Sequence, residues 1–410
     1  MDALPIARIR DRFPALRSPE VVYLDNAAGA QLPARVIEAV AHAMTTLQVN
    51  KGAPYAPSRR VTAHKESVRA RTAAFLGAEG PAHVAFGANA TTWVTLLARS
   101  VGDALAAGDE VIVTSLDHHA NIDPWRALAA RGVVVRTWRP RPPFGTLRLE
   151  DLEALLGPRT RLVAFTAASN ALGTVTPVAE IAGAAHAAGA WVMVDLVHAA
   201  PHALPDVRGW GVDLAVFSPY KVFGPHLGVA YLGPAVRDRL GPPRLSFHPV
   251  DDPSAWEPGT QSHEAIVGWG AALDHLGEIG SEVAAARGVE AAGERDVWRL
   301  AYDAIAQHEA GLCRTLLQGL DALGMERYGL PGVEDRTATV AFNHPERSPG
   351  EFSAALGDAG VAVAVGHFYA HDLVFGELGL AARGGALRAS VVHYNDDGDV
   401  RALLDAAARV

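Results

Sequence analysis

Ala190-Trp191-Val192-Met193-Val194-Asp195 is a short apolar run that ends on a carboxylate, and Leu214-Ala215-Val216-Phe217-Ser218-Pro219-Tyr220-Lys221 is a second that runs out to a lysine. Short, continuously apolar and β-branched runs of this kind read as strands buried on both faces. Upstream, Glu110-Val111-Ile112-Val113-Thr114 follows a Gly108-Asp109 turn, and Gly132-Val133-Val134-Val135 and Arg161-Leu162-Val163-Ala164-Phe165 repeat the pattern. The stretch from Pro177 to Ala188, with proline at its start and Gly189 after its end, reads as a helix between two of these strands. Strands alternating with helices predict a mainly parallel sheet in an α/β layer architecture. Such sheets gather ligands at the carboxyl ends of their strands, which directs attention to the polar residues just after each run.

The rest of the chain frames this core. Pro242 to Gly259 is rich in Pro, Asp and Ser and reads as a long functional loop. Gly268 to about Leu320 reads as helical. From Thr337 the pattern becomes strand (337–342), helix (350–356) and strand (361–365), which suggests a smaller C-terminal α+β domain. The 410 residues are 49% hydrophobic and 20% charged, a composition that supports a sizeable folded core. A net charge of −9 gives no general attraction to nucleic acid or anionic membrane, and neither is expected as a partner. The single cysteine, Cys313, excludes an intramolecular disulfide framework and a cysteine-based zinc cluster. The start of the chain offers no signal-peptide pattern and no run reaches about 18 apolar residues. A cytoplasmic enzyme is the expectation.

Asp195 at one strand end and Lys221 just past the next suit pyridoxal 5'-phosphate. A lysine forms the Schiff base, and a carboxylate keeps the pyridine nitrogen protonated so that the ring accepts electrons. Asn89-Ala90-Thr91-Thr92 follows Val84-Ala85-Phe86 and opens a helix, where backbone N–H groups and a hydroxyl make a phosphate cradle.

In order along the chain, Tyr23-Leu24-Asp25-Asn26-Ala27-Ala28, Asp117-His118-His119-Ala120-Asn121, Ser169-Asn170-Ala171-Leu172-Gly173-Thr174, Asp195-Leu196-Val197-His198-Ala199-Ala200, Gly224-Pro225-His226-Leu227-Gly228 and Arg388-Ala389-Ser390-Val391-Val392-His393 are motifs of one kind of enzyme. The chain resembles the class V aminotransferase family of pyridoxal-phosphate enzymes, in particular its cysteine desulfurase and selenocysteine lyase branch. The resemblance implies fold type I, with a large domain (20–265) built on a mainly parallel seven-stranded sheet. A smaller α+β domain (266–410) follows, and an N-terminal segment (1–19) packs on it. It also implies a homodimer. Lys221 would hold the cofactor and shuttle the substrate α-proton, Asp195 would pair with the pyridine nitrogen, and His118 would stack on the ring. Asn170 and His198 would flank the 3′-oxygen, although the family commonly has Gln where His198 stands. Ala90, Thr91 and Ser218 would bind phosphate with Tyr220, which replaces a usual His, and Gly259-Thr260 would reach the phosphate of the partner subunit. Ala28, Tyr369 and Arg388 would face the substrate, the arginine clamping its carboxylate bidentately.

Plainer readings stand beside these. His198 also suits a structural histidine, and Tyr220 suits packing. Cys313, in a helical stretch, reads as a buried inert thiol. His118 and His119 near Asp123 lack a third ligand marked by spacing, so no metal site is expected.

The pattern departs from the family in two places. A desulfurase needs a mobile cysteine to accept sulfur, and alignment through Val361-Ala362-Val363 puts Tyr369 there, where a phenol cannot take that role. Asn50-Lys51-Gly52-Ala53-Pro54-Tyr55 likewise lacks the family's Arg-Gly-x-His. The expectation is a lyase that eliminates a sulfur or selenium substituent from Cβ of an L-amino acid, without a persulfide cysteine. Alternatives are an aminotransferase, a true cysteine desulfurase, or a non-catalytic binding partner that kept the scaffold. Racemisation is disfavoured by a His118 stacked on the ring.

Overall fold

Seven strands form the central sheet in the spatial order Val84–Gly87, Gly228–Leu232, Leu214–Phe217, Trp191–Asp195, Thr160–Thr166, Glu110–Thr114 and Val134–Trp138. The last five pair in parallel, and Gly228–Leu232 runs antiparallel to both of its neighbours. This is the mainly parallel seven-stranded sheet of the sequence reading. The computed structural model describes residues 4–17, 20–141, 145–249 and 252–410. The segment 1–19 and the loop 242–259 therefore lie in part outside the described residues.

The strand interiors are apolar because helices cover both faces. On one side, Trp93, Val94, Leu97, Ala98 and Val101 recur at helical spacing along Ala90–Ala104, and all are buried. On the other side, the long helices Ala56–Leu76, His263–Arg287 and Glu294–Ala322 surround Phe75, whose ring meets Trp269 at 5.5 Å and Trp298 at 5.9 Å, both edge-on. The helical stretch expected from Gly268 to Leu320 is two helices, because Gly288 adopts a left-handed conformation (φ 63°) that ends the first.

A second sheet of four strands has the order Ala364–Gly366, Ala386–Ser390, Thr339–Asn343, Glu326–Tyr328. The single strand expected over 361–365 is a correction: Val361–Ala362 pairs in parallel with Val22–Tyr23, whereas Ala364–Gly366 joins the four-stranded sheet. The chain switches partners there, so one apolar run serves two sheets. In the N-terminal segment, Arg10 donates to Asp399 at 2.6 Å and Phe13 lies edge-on to His275 at 5.2 Å. Among the described residues no helix is long and apolar enough to cross a membrane.

One close approach ties the two sheets together at the carboxyl ends of the central strands. Gly173 sits at φ 77° with Thr337 N–H on its carbonyl at 2.8 Å, and a Cβ there would fall 2.6 Å from the Thr339 carbonyl oxygen. Only glycine fits that approach. Under the sheet's edge, the buried Glu257 carboxylate receives Lys65 Nζ at 2.5 Å, Arg69 Nη1 at 2.7 Å and the Phe86 N–H at 2.8 Å. Burial alone would raise the Glu257 pKa, but the two cations outweigh it and hold the pKa below the usual carboxylate value.

Removing that carboxylate's charge strands two buried cations. Glu257→Gln is expected to cost about 3–5 kcal/mol, read as a lower midpoint in denaturant unfolding; an unchanged midpoint would contradict this.

Candidate active site

The parallel strands deliver their next residues to one edge. Thr114 leads to His118, Thr166 to Asn170, Trp191–Asp195 ends on Asp195, and Phe217 leads to Ser218, Tyr220 and Lys221. There a cavity of about 690 Å³ is lined by Ala90, Thr91, His118, Asn170, Asp195, His198, Ser218, Tyr220 and Lys221, so the structure gathers in one place all the cofactor-facing residues named from sequence except Thr260. A second cavity, about 530 Å³, shares Ala28, His118, Asn170, Tyr220 and Lys221 with the first and extends to Tyr369 and Arg388. Thr260 lies elsewhere, in a cavity of about 400 Å³ with Lys51, Lys65 and His263. Within one chain it does not meet Ser218.

The phosphate-cradle candidates sit at the start of helix Ala90–Ala104. Asn89 caps it, its side chain accepting from the Thr92 N–H at 2.8 Å, and the Ala90 N–H donates to Ser218 Oγ at 3.0 Å. Gly228 closes the cradle from below, since a Cβ there would lie 2.7 Å from Asn89 backbone atoms. Tyr220 stacks on His226 with ring centroids 4.8 Å apart and planes 11° apart.

The charged groups perturb one another. Burial pushes the Asp195 carboxyl up to about 6, against a hydrogen bond from the Val197 N–H at 2.8 Å and the pull of Lys221. Burial, then the Arg388 charge, lower the Lys221 amine to about 7; Asp25 and Asp195 oppose them. Lys221 donates to the Ala27 carbonyl. His118 is lowered to about 4 by burial and then by Lys221, so its ring is neutral at pH 7. Its Nδ1 accepts the Ala120 N–H at 3.0 Å, which places the proton on Nε2. His198 is held well below the usual histidine range by burial, and its Nε2 contacts Thr337 Oγ1 at 3.1 Å.

Arg388 is buried beside the amine. It donates to the Asn170 carbonyl and to Asp25 Oδ1, each at 2.8 Å, and its guanidinium sits 4.7 Å from the Phe368 ring centroid. Phe368 and Tyr369 both have positive φ, 53° and 58°, and the Asn170 side chain donates to the Phe368 carbonyl at 2.8 Å. The loop is held in this left-handed conformation, which costs energy in a non-glycine residue. Tyr369 is 71% exposed at the cavity rim, its ring centroid 5.3 Å from that of His118.

Three positioning residues escaped the sequence reading. Asp25 pairs with Arg388, and Thr337 reaches His198 from the second sheet. Asp117 is fully buried and anchors the turn that carries His118, accepting from Asn121 Nδ2 at 2.7 Å and the Thr166 N–H at 3.1 Å. Asp25 and Asp117 stood inside quoted motifs; Thr337 had no local signal. Cys313 is buried in a separate cluster with Leu312, Leu316 and Phe342, and burial raises its thiol pKa.

The donor set fits pyridoxal phosphate: an amine of lowered pKa, a buried carboxylate, a neutral imidazole and a helix N-terminus with a serine hydroxyl. The chain has three lysines, Lys51, Lys65 and Lys221; Lys65 is locked to Glu257, and only Lys221 reaches this cavity. In cofactor-free protein, the rate of combination with pyridoxal phosphate is expected to rise through pH 7 and level off above it. Arg388→Ala removes a repelling charge and moves that inflection upward. Stopped-flow absorbance checks both, and a wild-type inflection near the ordinary lysine value would contradict the account.

The aminotransferase class-V family matches residues 22–403. A cysteine desulfurase of Enterobacter sp. (strain 638) is 34% identical over 430 aligned residues, covering 100% of this chain and 98% of the relative. One from Yersinia pseudotuberculosis serotype IB (strain PB1/+) is 32% identical, covering 99% and 98%. Among solved structures, the apo cysteine desulfurase of Thermococcus onnurineus NA1 superposes with a TM-score of 0.87 at 26% identity, covering 100% of this chain and 98% of that one. A cysteine desulfurase from Escherichia coli gives 0.82 at 27% with the same coverage. The chain belongs to the class-V aminotransferase family and is a pyridoxal-phosphate-dependent enzyme of the cysteine desulfurase-like kind.

Proposed function

We propose that this enzyme cleaves the Cβ–S (or Cβ–Se) bond of an L-amino acid by β-elimination, with no persulfide cysteine. The observation that carries the reading is the chain's one thiol: Cys313 is 1% exposed in the cluster under the second sheet, while the cavity rim carries Tyr369. A buried thiol of raised pKa is a poor nucleophile and has no path to a substrate sulfur.

Pyridoxal phosphate, when bound, supplies a carbonyl for amines and an electron sink for a Cα carbanion. The chain's residues supply the rest. Lys221, titrating near 7, is poised both to bind that carbonyl and to move the substrate α-proton. Asp195, buried on the cavity floor, offers its carboxylate to the pyridine N–H. His118, neutral, offers a flat face to the ring. The Ala90–Ala104 helix N-terminus and Ser218 hold the phosphate. Arg388 meets the substrate carboxylate, and its buried Nε has no hydrogen-bond partner among the described residues. A β-substituent that leaves readily as a thiolate needs no acceptor on the protein; with one water consumed in hydrolysis, the products are the thiol, pyruvate and ammonia.

The active form is inferred to be a homodimer. Leu245 and Phe247 are 51% and 74% exposed beside the cavity that holds Gly259 and Thr260. A second copy covering that apolar surface would let Thr260 serve the partner's phosphate site.

Product analysis decides between the readings. Pyruvate and ammonia are expected from S-substituted cysteines, and Cys313→Ala should retain activity within about twofold, as a packing change alone would. Alanine formed from L-cysteine, and lost in Cys313→Ala, would establish desulfuration instead. Pyridoxamine phosphate without loss of a β-substituent would establish an aminotransferase.

A further inference from the structure

His119 and the pair His371-Asp372 are far apart in sequence, yet His119 Nε2 lies 3.2 Å from Asp372 Oδ1, and His371 Nδ1 lies 3.7 Å from the same oxygen. All three donor atoms fall within 4.8 Å of one another, the one such group among the described residues. In a tetrahedral site with metal–ligand bonds of about 2.0–2.2 Å, neighbouring ligand atoms stand roughly 3.3–3.6 Å apart. The two measured edges bracket that spacing. We propose that His119, His371 and Asp372 form a binding site for a first-row divalent cation of the zinc type, with solvent at the remaining position.

The groups behind the three donors support the assignment. His119 Nδ1 lies 3.1 Å from Asp123 Oδ2. A carboxylate there accepts a hydrogen bond from Nδ1–H, which leaves the Nε2 lone pair facing Asp372, as in metal sites where a carboxylate orients the ligating imidazole. An imidazole lone pair and a carboxylate oxygen at 3.2 Å repel, and a cation between them removes the repulsion; without one, the Asp372 N–H, 3.3 Å from Nε2, is the competing partner. Arg126 engages the second oxygen of Asp372 and leaves Oδ1 for the cation. Two imidazole nitrogens and one carboxylate oxygen suit zinc and exclude the harder calcium and magnesium. The His371 side chain is 57% exposed, so the site opens to solvent.

The position has a consequence for the catalytic cavity. The His119 N–H donates to the Tyr369 carbonyl at 2.8 Å, and His118 is the residue just before it. A cation would fasten the strained Phe368-Tyr369 loop to the turn that presents His118, and so hold Tyr369 at the cavity rim. The inference is independent of the reaction proposed above.

The test is calorimetric titration of chelator-treated, cofactor-loaded enzyme with Zn²⁺, confirmed by competition with a chromogenic chelator. One Zn²⁺ per chain is expected. His371→Ala, at an exposed position outside the cavity, should weaken binding at least tenfold, and Asp123→Asn, which removes only the carboxylate behind His119, about tenfold. No stoichiometric binding, or the same affinity in both variants, would overturn the proposal.

Discussion

Arg388 is the joint on which the site depends. Its strand belongs to the second sheet, yet its guanidinium spans to the Asn170 carbonyl, at the end of a central-sheet strand, and to Asp25, just after the strand Val22–Tyr23. A cation buried this deeply is tolerated only when its charge is paired, and taking the Asp25 carboxylate away would leave several kcal/mol uncompensated. Three separate parts of the chain are therefore held in one arrangement. The cavity exists between them, and the same charge adds to burial, the larger cause, in lowering the Lys221 amine. One buried arginine thus links the packing of two sheets to the reactivity of a lysine.

Around that joint the structure combines rigid and strained parts. His118, Asp195 and Ser218 ride on strand ends whose interiors are wholly buried, and Asp117 and Asn89 hold the turns by hydrogen bonds. The facing wall is different: Phe368 and Tyr369 occupy left-handed conformations, with Arg388 packed on the Phe368 ring. Here the wall presents a phenol and, one turn further, His371 and Asp372. The cofactor side of the cavity keeps an amine, a carboxylate and a helix N-terminus in one place, whatever this wall presents.

Much of this was legible in the sequence because it is local. The central strands announce themselves as continuous apolar runs, and the observed elements Glu110–Thr114, Leu214–Phe217 and Val178–Ala187 follow the reading closely. Strand-end positions then placed Asp195, Ser218 and Lys221 on a common edge. What escaped is non-local. The pattern at 361–365 looks like one strand, and only tertiary pairing reveals that it serves two sheets. Thr337 reaches His198 through the tight Gly173 crossing, which no periodicity encodes. Spacing marks no third ligand beside His119; His371 and Asp372 come next to it only through the fold, from the far end of the chain. Thr260 shows the opposite limit: one chain leaves it away from the cavity, and its expected role requires a second copy.

The central claim is that Lys221 alone, among three lysines, carries the cofactor. Borohydride reduction of the cofactor-loaded enzyme, followed by proteolysis and mass mapping, tests it directly. The account predicts a phosphopyridoxyl group on Lys221 and on neither Lys51 nor Lys65. A label on either of those, or no covalent label at all, would contradict it.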